Sequence, residues 1–272
     1  MSERSLVAFT LLTQTAVGSF LALGALDLWA ARLLGDPAYA GTATWAFVAA
    51  FALTVAALLA SLLHLGAPLN AWRAASNLRT SWLSREILLS LLFAGGAGFL
   101  ALLRLTGSPA SAARTVLEAG TAACGAALVY AMARTYAIRT VPAWHTPRTT
   151  VSFFATAVLL GALAVGAALA FAPGIRAGAL AGPMRCLALA AAAGLAAELT
   201  AGLGAPGVRD GAERRLRHLQ RALLAAAFLM CVPPALGAGP SGAFAAAALA
   251  AALAAQVLGR YLFYVVGVRR VL

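Results

Sequence analysis

Lysine is absent from this chain, and only 10% of its 272 residues are charged. A soluble domain of this length carries about 25% charged residues. A chain so poor in charge cannot cover a water-facing surface. A soluble globular fold is therefore excluded, and lipid is the solvent that suits it. Cysteine is scarce too. Cys124, Cys186 and Cys231 each stand alone in an apolar stretch, with no CxxC pair. Neither a disulfide framework nor a cluster site follows, so any iron–sulfur chemistry must belong to another chain. Alternating strand patterns, internal repeats and a linker to a second domain are also missing, which argues against a β-barrel.

What is present is hydrophobic, 62% of the chain. Eight apolar runs approach the roughly 20 residues that a helix needs to cross a bilayer. They cover about 5–29, 42–64, 84–103, 113–134, 150–172, 178–203, 219–238 and 242–266. The reading is all-α: a polytopic membrane protein with eight transmembrane helices in one bundle, a single domain over 1–272. The first run is too long for an ordinary signal-peptide core, and its head carries one acid and one base, so it reads as a first helix. Gly95, Gly96, Gly98, Gly161 and Gly166 would let neighbouring helices approach closely.

The net charge of +12 comes from arginine alone. In a soluble protein it would raise nucleic-acid binding, but these arginines lie between apolar runs and mark loops and headgroups. Eight helices put both termini on one face. Arg32, Arg104, Arg114, Arg176 and Arg185 fall on the other, and the remaining fifteen on the face of the termini. The positive-inside rule makes that basic face cytoplasmic. All three histidines lie on it.

One stretch gathers most of the functional groups, His64 to Glu86: HLGAPLNAWRAASNLRTSWLSRE. His64 closes the second helix and Glu86 opens the third, so both return to one membrane depth. An imidazole and a carboxylate there can exchange protons with water while touching a lipid-soluble substrate. Quinol oxidation needs such groups, because two electrons leave and two protons need acceptors. Trp72 and Trp82 sit at headgroup level and could flank a ring. The same spacing also suits an interfacial loop with a solvated histidine and a Glu86–Arg85 surface charge pair. His145, in TVPAWHTPRTT, and His218, after RRLR, read as loop or surface residues, with Trp144 anchoring its loop at the interface. Three histidines on one face leave no axial pairs for a two-haem wire across the bilayer. Glu118 is spaced to pair with Arg114 on its own helix. Glu198 reads equally as a structural pair or a proton relay. Gln14, Tyr130, Tyr136, Gln256 and Tyr261 could hydrogen-bond across helices.

Three segments go further than spacing. HLGAPLNAWRAASNLRTSWLSREIL, RTYAIRTVPAWHTPRTTVSFF and GRYLFY (259–264) resemble the membrane anchor subunit of bacterial dimethyl sulfoxide reductases. The resemblance implies a haem-free, menaquinol-oxidising anchor in the bacterial inner membrane. It implies two partners, a four-cluster iron–sulfur subunit and a molybdenum bis-pterin catalytic subunit. His64 and Glu86 match the family's histidine and glutamate tied to quinol oxidation. Arg73, Trp82 and Arg85 share that segment as further quinol-binding candidates. Position 145 departs from the family, which usually has Asn there. The Arg-rich stretches 66–85, 134–149 and 204–221 could dock the partner. Some relatives carry their catalytic subunits on the outer face, which would oppose the arginine count. Alternatives are a polysulfide-reductase-type anchor of another respiratory oxidoreductase and a secondary transporter. The latter would need broken helices with polar groups at depth.

Overall fold

The computed structural model describes residues 3–29, 36–62, 77–109, 111–175, 177–203, 211–236 and 242–269. Among these are eight α-helices and no strand. They are α1 (Glu3–Trp29), α2 (Pro37–Leu62), α3 (Trp82–Leu105), α4 (Ala112–Tyr136), α5 (Pro147–Ala170), α6 (Ala177–Leu203), α7 (Gly211–Ala235) and α8 (Gly242–Arg269). Seven of them are long and apolar enough to span a bilayer. The protein is a polytopic helical membrane protein, as its composition indicates.

Two helices start earlier than hydrophobicity suggests, for different reasons. α2 begins at Pro37 because Asp36 caps it: Asp36 Oδ1 accepts from the backbone N–H of Ala38 at 2.9 Å and of Tyr39 at 3.4 Å. Proline at the first helical position gives up no helical hydrogen bond. α7 begins at Gly211, eight residues before the apolar run. Its first turns carry Arg214, Arg215, His218 and Arg221, all exposed. Arginine is a good helix former, so the helix continues past the end of its apolar part. That charge is why α7 is the exception among the spans.

The helices run up and down, and contacts between side chains fix the alternation. Tyr39 at the start of α2 meets Asp27 at the end of α1. Arg104 at the end of α3 meets Glu118 early in α4. Ser152 near the start of α5 meets Glu198 near the end of α6. Arg260 near the end of α8 meets Gln14 in the first half of α1.

α1 and α5 form the centre, each with 67% of its apolar window buried by protein. α1 also packs on α2, α4 and α8, and α5 on α4, α6 and α8. In lipid, helices associate through close packing rather than hydrophobic exclusion. The closest approach is at Gly18 and Gly161: a Cβ on Gly18 would collide with the Ala157 carbonyl, and one on Gly161 with the Gly18 backbone. Of the glycines singled out in the sequence, Gly96 and Gly98 are likewise closed in, against Thr121 and Phe51, whereas Gly95 faces open space. Several hydroxyls inside the spans are satisfied within their own helix. Thr10, Thr54, Ser90 and Thr121 each donate to a carbonyl one turn earlier.

Candidate functional site

α3 is launched by Ser81, whose Oγ accepts from the Ser84 N–H at 3.2 Å. The side chains of the first turn then divide. Arg85 turns back to the preceding loop, donating from Nε to the Leu78 carbonyl at 2.9 Å and from Nη2 to the Arg79 carbonyl at 2.8 Å. Its guanidinium also lies 4.3 Å from the centre of the Trp82 ring. Trp82 meets Tyr130 of α4 edge to face at 5.5 Å, with Arg134 at 5.4 Å over its ring. Glu86 points the other way, into the bundle, and is only 3% exposed. The Glu86–Arg85 surface pair that spacing allowed does not form. One residue of offset on a helix turns the two side chains by about 100°, and the loop carbonyls hold Arg85.

Glu86 has no ion-pair partner among the described residues, and its Oε2 accepts no hydrogen bond there. Thr135 of α4 stands beside it, and Tyr136 and Tyr264 lie within range of its charge. His64 and Arg73, the other candidates of this stretch, fall outside the described residues.

The loop between α4 and α5 closes over this end. Trp144 is buried by protein: it stacks on Phe263 of α8 at 5.2 Å. Its Nε1 donates to the Phe263 carbonyl at 2.8 Å. The Phe263 carbonyl, in the last third of α8, supplies the partner that a buried indole N–H needs. His145 is exposed, and its Nδ1 lies 2.9 Å from the Ala137 carbonyl. It binds its own loop. His218 is exposed on α7.

Deeper, α8 supplies a charge to the bundle interior. Arg260 is 3% exposed and lies over the Phe153 ring at 3.7 Å. Its Nη2 donates to Gln14 Oε1 at 3.0 Å and to Thr156 Oγ1 at 3.2 Å. Thr156 Oγ1 is in turn 2.6 Å from Glu198 Oε1 and 3.1 Å from Gln256 Oε1. Ser152 donates to the same carboxylate at 3.0 Å. Glu198 is thus tied to Arg260 through a threonine hydroxyl, within range of its charge but without direct contact. Gln14 and Gln256 do bond across helices. Tyr136 packs in an aromatic group with Trp144, Phe153, Phe263 and Tyr264. Tyr130 and Tyr261 are partly exposed.

A family model described as the DMSO reductase anchor subunit (DmsC) matches residues 1–202. The chain belongs to the DMSO reductase anchor subunit family. Among similar proteins is a chain of the anaerobic dimethyl sulfoxide reductase of Haemophilus influenzae, 31% identical over 164 residues, 58% of this chain and 56% of that one. Another is YnfH, a chain of an anaerobic dimethyl sulfoxide reductase of Escherichia coli, 31% identical over 167 residues, 61% of this chain and 57% of that one. A third is a sulfite dehydrogenase subunit of Allochromatium vinosum, 36% identical over 161 residues, 55% and 49% of the two chains. The chain thus spans about half the length of the curated relatives it matches. No solved structure matches it.

The anchor-family match contains α1 to α6 almost entirely and stops before α7 and α8. GRYLFY, and with it Arg260 and Tyr264, lies beyond the matched segment. In this anchor protein the interior of the basic end is nevertheless completed by α8.

A second polar group lies at the opposite end of the bundle. Arg104 of α3 donates to Asp27 of α1 and, at 3.1 Å, to Glu118 of α4. Tyr39 of α2 donates to the second Asp27 oxygen at 2.9 Å, and Phe47 covers the guanidinium at 4.0 Å. Glu118 therefore pairs with the neighbouring helix rather than with Arg114, which instead bonds the Ser108 carbonyl at 2.9 Å. Arg104 meets two carboxylates in a buried position, a stronger claim on Glu118 than a surface pair one turn away. Sequence reasoning overlooked Asp27 and its partner Arg104. The signal was there: an aspartate inside a first helix otherwise free of charge after Arg4.

Proposed function

We propose that this protein is the membrane anchor of a dimethyl sulfoxide reductase-like molybdenum enzyme complex, and that it binds and oxidises menaquinol at the basic end of the bundle. The observation that carries this reading is Glu86: a buried carboxyl with an unpartnered oxygen, opening α3 inside the anchor-family segment. A buried acceptor left open costs about 1–3 kcal/mol. That cost is offset when a ligand hydroxyl or a proton occupies it. On this reading Glu86 Oε2 takes one quinol proton and His64 the other. The two electrons pass to an iron–sulfur subunit docked on the Arg-rich basic face, and from there to the molybdenum bis-pterin subunit. Trp82 and Arg85, locked to each other and to the 77–81 turn, brace the rim of the site. Arg73 would contribute to the same rim.

The test is Glu86→Gln, alone and with His64→Ala, in the complex assembled with its natural partners. Quinol-dependent reduction should fall with assembly intact. Unchanged turnover in both variants would remove the site assignment. A haem absorption band in stoichiometric amount would remove the haem-free reading. A C-terminal reporter fusion that is active outside the cell would reverse the cytoplasmic placement of the basic face.

A second reading concerns direction. The relative named a sulfite dehydrogenase subunit suggests a polysulfide-reductase-type or dehydrogenase partner delivering electrons to quinone. The same site would then give up protons instead of taking them. Supplying the purified complex with quinol or with quinone, each with the matching electron partner, distinguishes the two.

A further inference from the structure

Four helices leave a gap at the end of the bundle opposite the basic one. α5 packs on α6, α6 on α7, α7 on α8, and α8 back on α5. Between them is a cavity of about 50 Å³. Its cause is the size of the residues that face it. Ala162 and Gly166 come from α5, Ala188 from α6 and Ala248 from α8, while Pro233 and Pro234 of α7 are too compact to reach across. No helix sits against Gly166. A Cβ there would touch Met184 at 3.9 Å and Leu187 at 4.0 Å, ordinary contact distances, with nothing nearer.

No described side chain that lines the cavity carries a nitrogen or an oxygen. Water has nothing to bond there, so the guest that fits is apolar. The cavity opens on the outside of the bundle: Phe244, which lines it, is 55% exposed, and Pro233 is exposed as well. That outside faces lipid, because α5, α6 and α8 are spans. The lining starts within a turn of the helix ends, at Pro234 and Phe244. It reaches Ala162 and Ala188, about 12–16 Å from the ends of α5 and α6. That is about the hydrocarbon depth of one leaflet, roughly 15 Å. Pockets that enclose a whole small ligand hold about 300–1,000 Å³. This one is far smaller and suits a single hydrocarbon chain.

A charge stands beside it. Arg185 follows Met184 of the lining and lies within the span Gly178–Ala201, yet it is exposed. It makes no ion pair or hydrogen bond with a described residue. Other arginines of this end are engaged: Arg104 by Asp27 and Glu118, Arg114 by the Ser108 carbonyl. A cation inside a span needs a partner, and here the protein supplies none. Arg185 lies eight residues into α6, about 12 Å from its start. Cα–Cβ bonds tilt toward the helix N-terminus, which for α6 is this end of the bundle. The long side chain can therefore carry its guanidinium up to the headgroups. The guanidinium fork matches two phosphate oxygens.

We propose that this is a binding site for one anionic phospholipid of the leaflet opposite the basic end. One acyl chain fills the cavity, and the phosphate pairs with Arg185. A zwitterionic headgroup already neutralises its own phosphate, whereas an anionic one leaves that charge for Arg185. The bound lipid joins the α5–α6 pair to the α7–α8 pair.

The test uses the full chain, purified with its natural partners in mild detergent and stripped of lipid. It is given equal amounts of phosphatidylglycerol and phosphatidylcholine with the same acyl chains, and retained lipid is counted by native mass spectrometry. Wild type should retain one phosphatidylglycerol per chain, preferred about fivefold. Arg185→Gln should keep a lipid but lose the preference, and Arg185→Lys should restore most of it. Gly166→Leu fills the cavity from α5 and should retain one lipid fewer of either kind. Equal retention of both lipids by wild type would overturn the inference, as would an unchanged count in Gly166→Leu. If Gly166→Leu does not assemble, an unchanged preference in Arg185→Gln overturns it alone. Cys186 is exposed beside Arg185. A cross-link from it to a second copy or to a partner subunit, with no lipid retained, would also remove the lipid site.

Discussion

The two ends of the bundle bury polar groups in opposite ways. At the far end Asp27, Glu118, Tyr39 and Arg104 bond one another, and four helices are tied through a single guanidinium. Among the described residues, only Arg104 Nε is left over there. At the basic end Glu86 Oε2, Tyr264 OH, Gln14 Nε2, Gln256 Nε2 and Arg260 Nε all lack partners among the described residues. Burial is similar, so depth does not explain the difference. A closed network holds helices together, and an open one leaves room for a guest. Polar groups inside a membrane protein are costly in either case. What differs is whether the protein satisfies them itself.

The comparison can be broken from the far end first. Arg104→Ala leaves two buried carboxylates without a counter-charge, at a cost of about 3–5 kcal/mol. The detergent-solubilised complex should unfold at a clearly lower temperature, while quinol turnover per folded complex is preserved. Turnover lost in step with nothing else would mean that the far end is part of the reaction. Glu86→Gln should do the reverse, lowering quinol turnover about 100-fold with little change in the unfolding temperature. A smaller effect belongs to the frame of the basic end. Trp144→Phe keeps the stack on Phe263 and loses one hydrogen bond, worth about 1 kcal/mol. Faster amide exchange confined to the 137–146 loop would register it. The smallest change is expected for Asp27→Asn, within about 1 kcal/mol. Arg104 keeps Glu118, and the amide oxygen can still accept from Tyr39. A large destabilisation there would show that both charges are needed.

How much of this was legible in the sequence varies with the kind of interaction. The eight helices were, because continuous apolar length is a local property and each run carries it alone. Their starts were less so: a capping side chain at Asp36 and a charged first half of α7 do not register in hydrophobicity. The Glu86 stretch stood out by its concentration of functional groups. Its division into an outward Arg85 and an inward Glu86 did not, because that depends on which carbonyls the loop presents. Trp144 looked like an interfacial anchor because tryptophan commonly is one. Its burial needed the end of α8, more than a hundred residues away in sequence.

The sequence by itself determined the solvent, the helix count and the family. All three follow from composition and from short contiguous segments. Only the tertiary structure decided the partners: Arg104 for Glu118, a threonine hydroxyl between Glu198 and Arg260, and no partner among the described residues for Glu86 Oε2. The physical reason is that hydrogen bonds and ion pairs are short-ranged and directional. They depend on how one helix is rotated against the next, which close packing at contacts such as Gly18 and Gly161 sets.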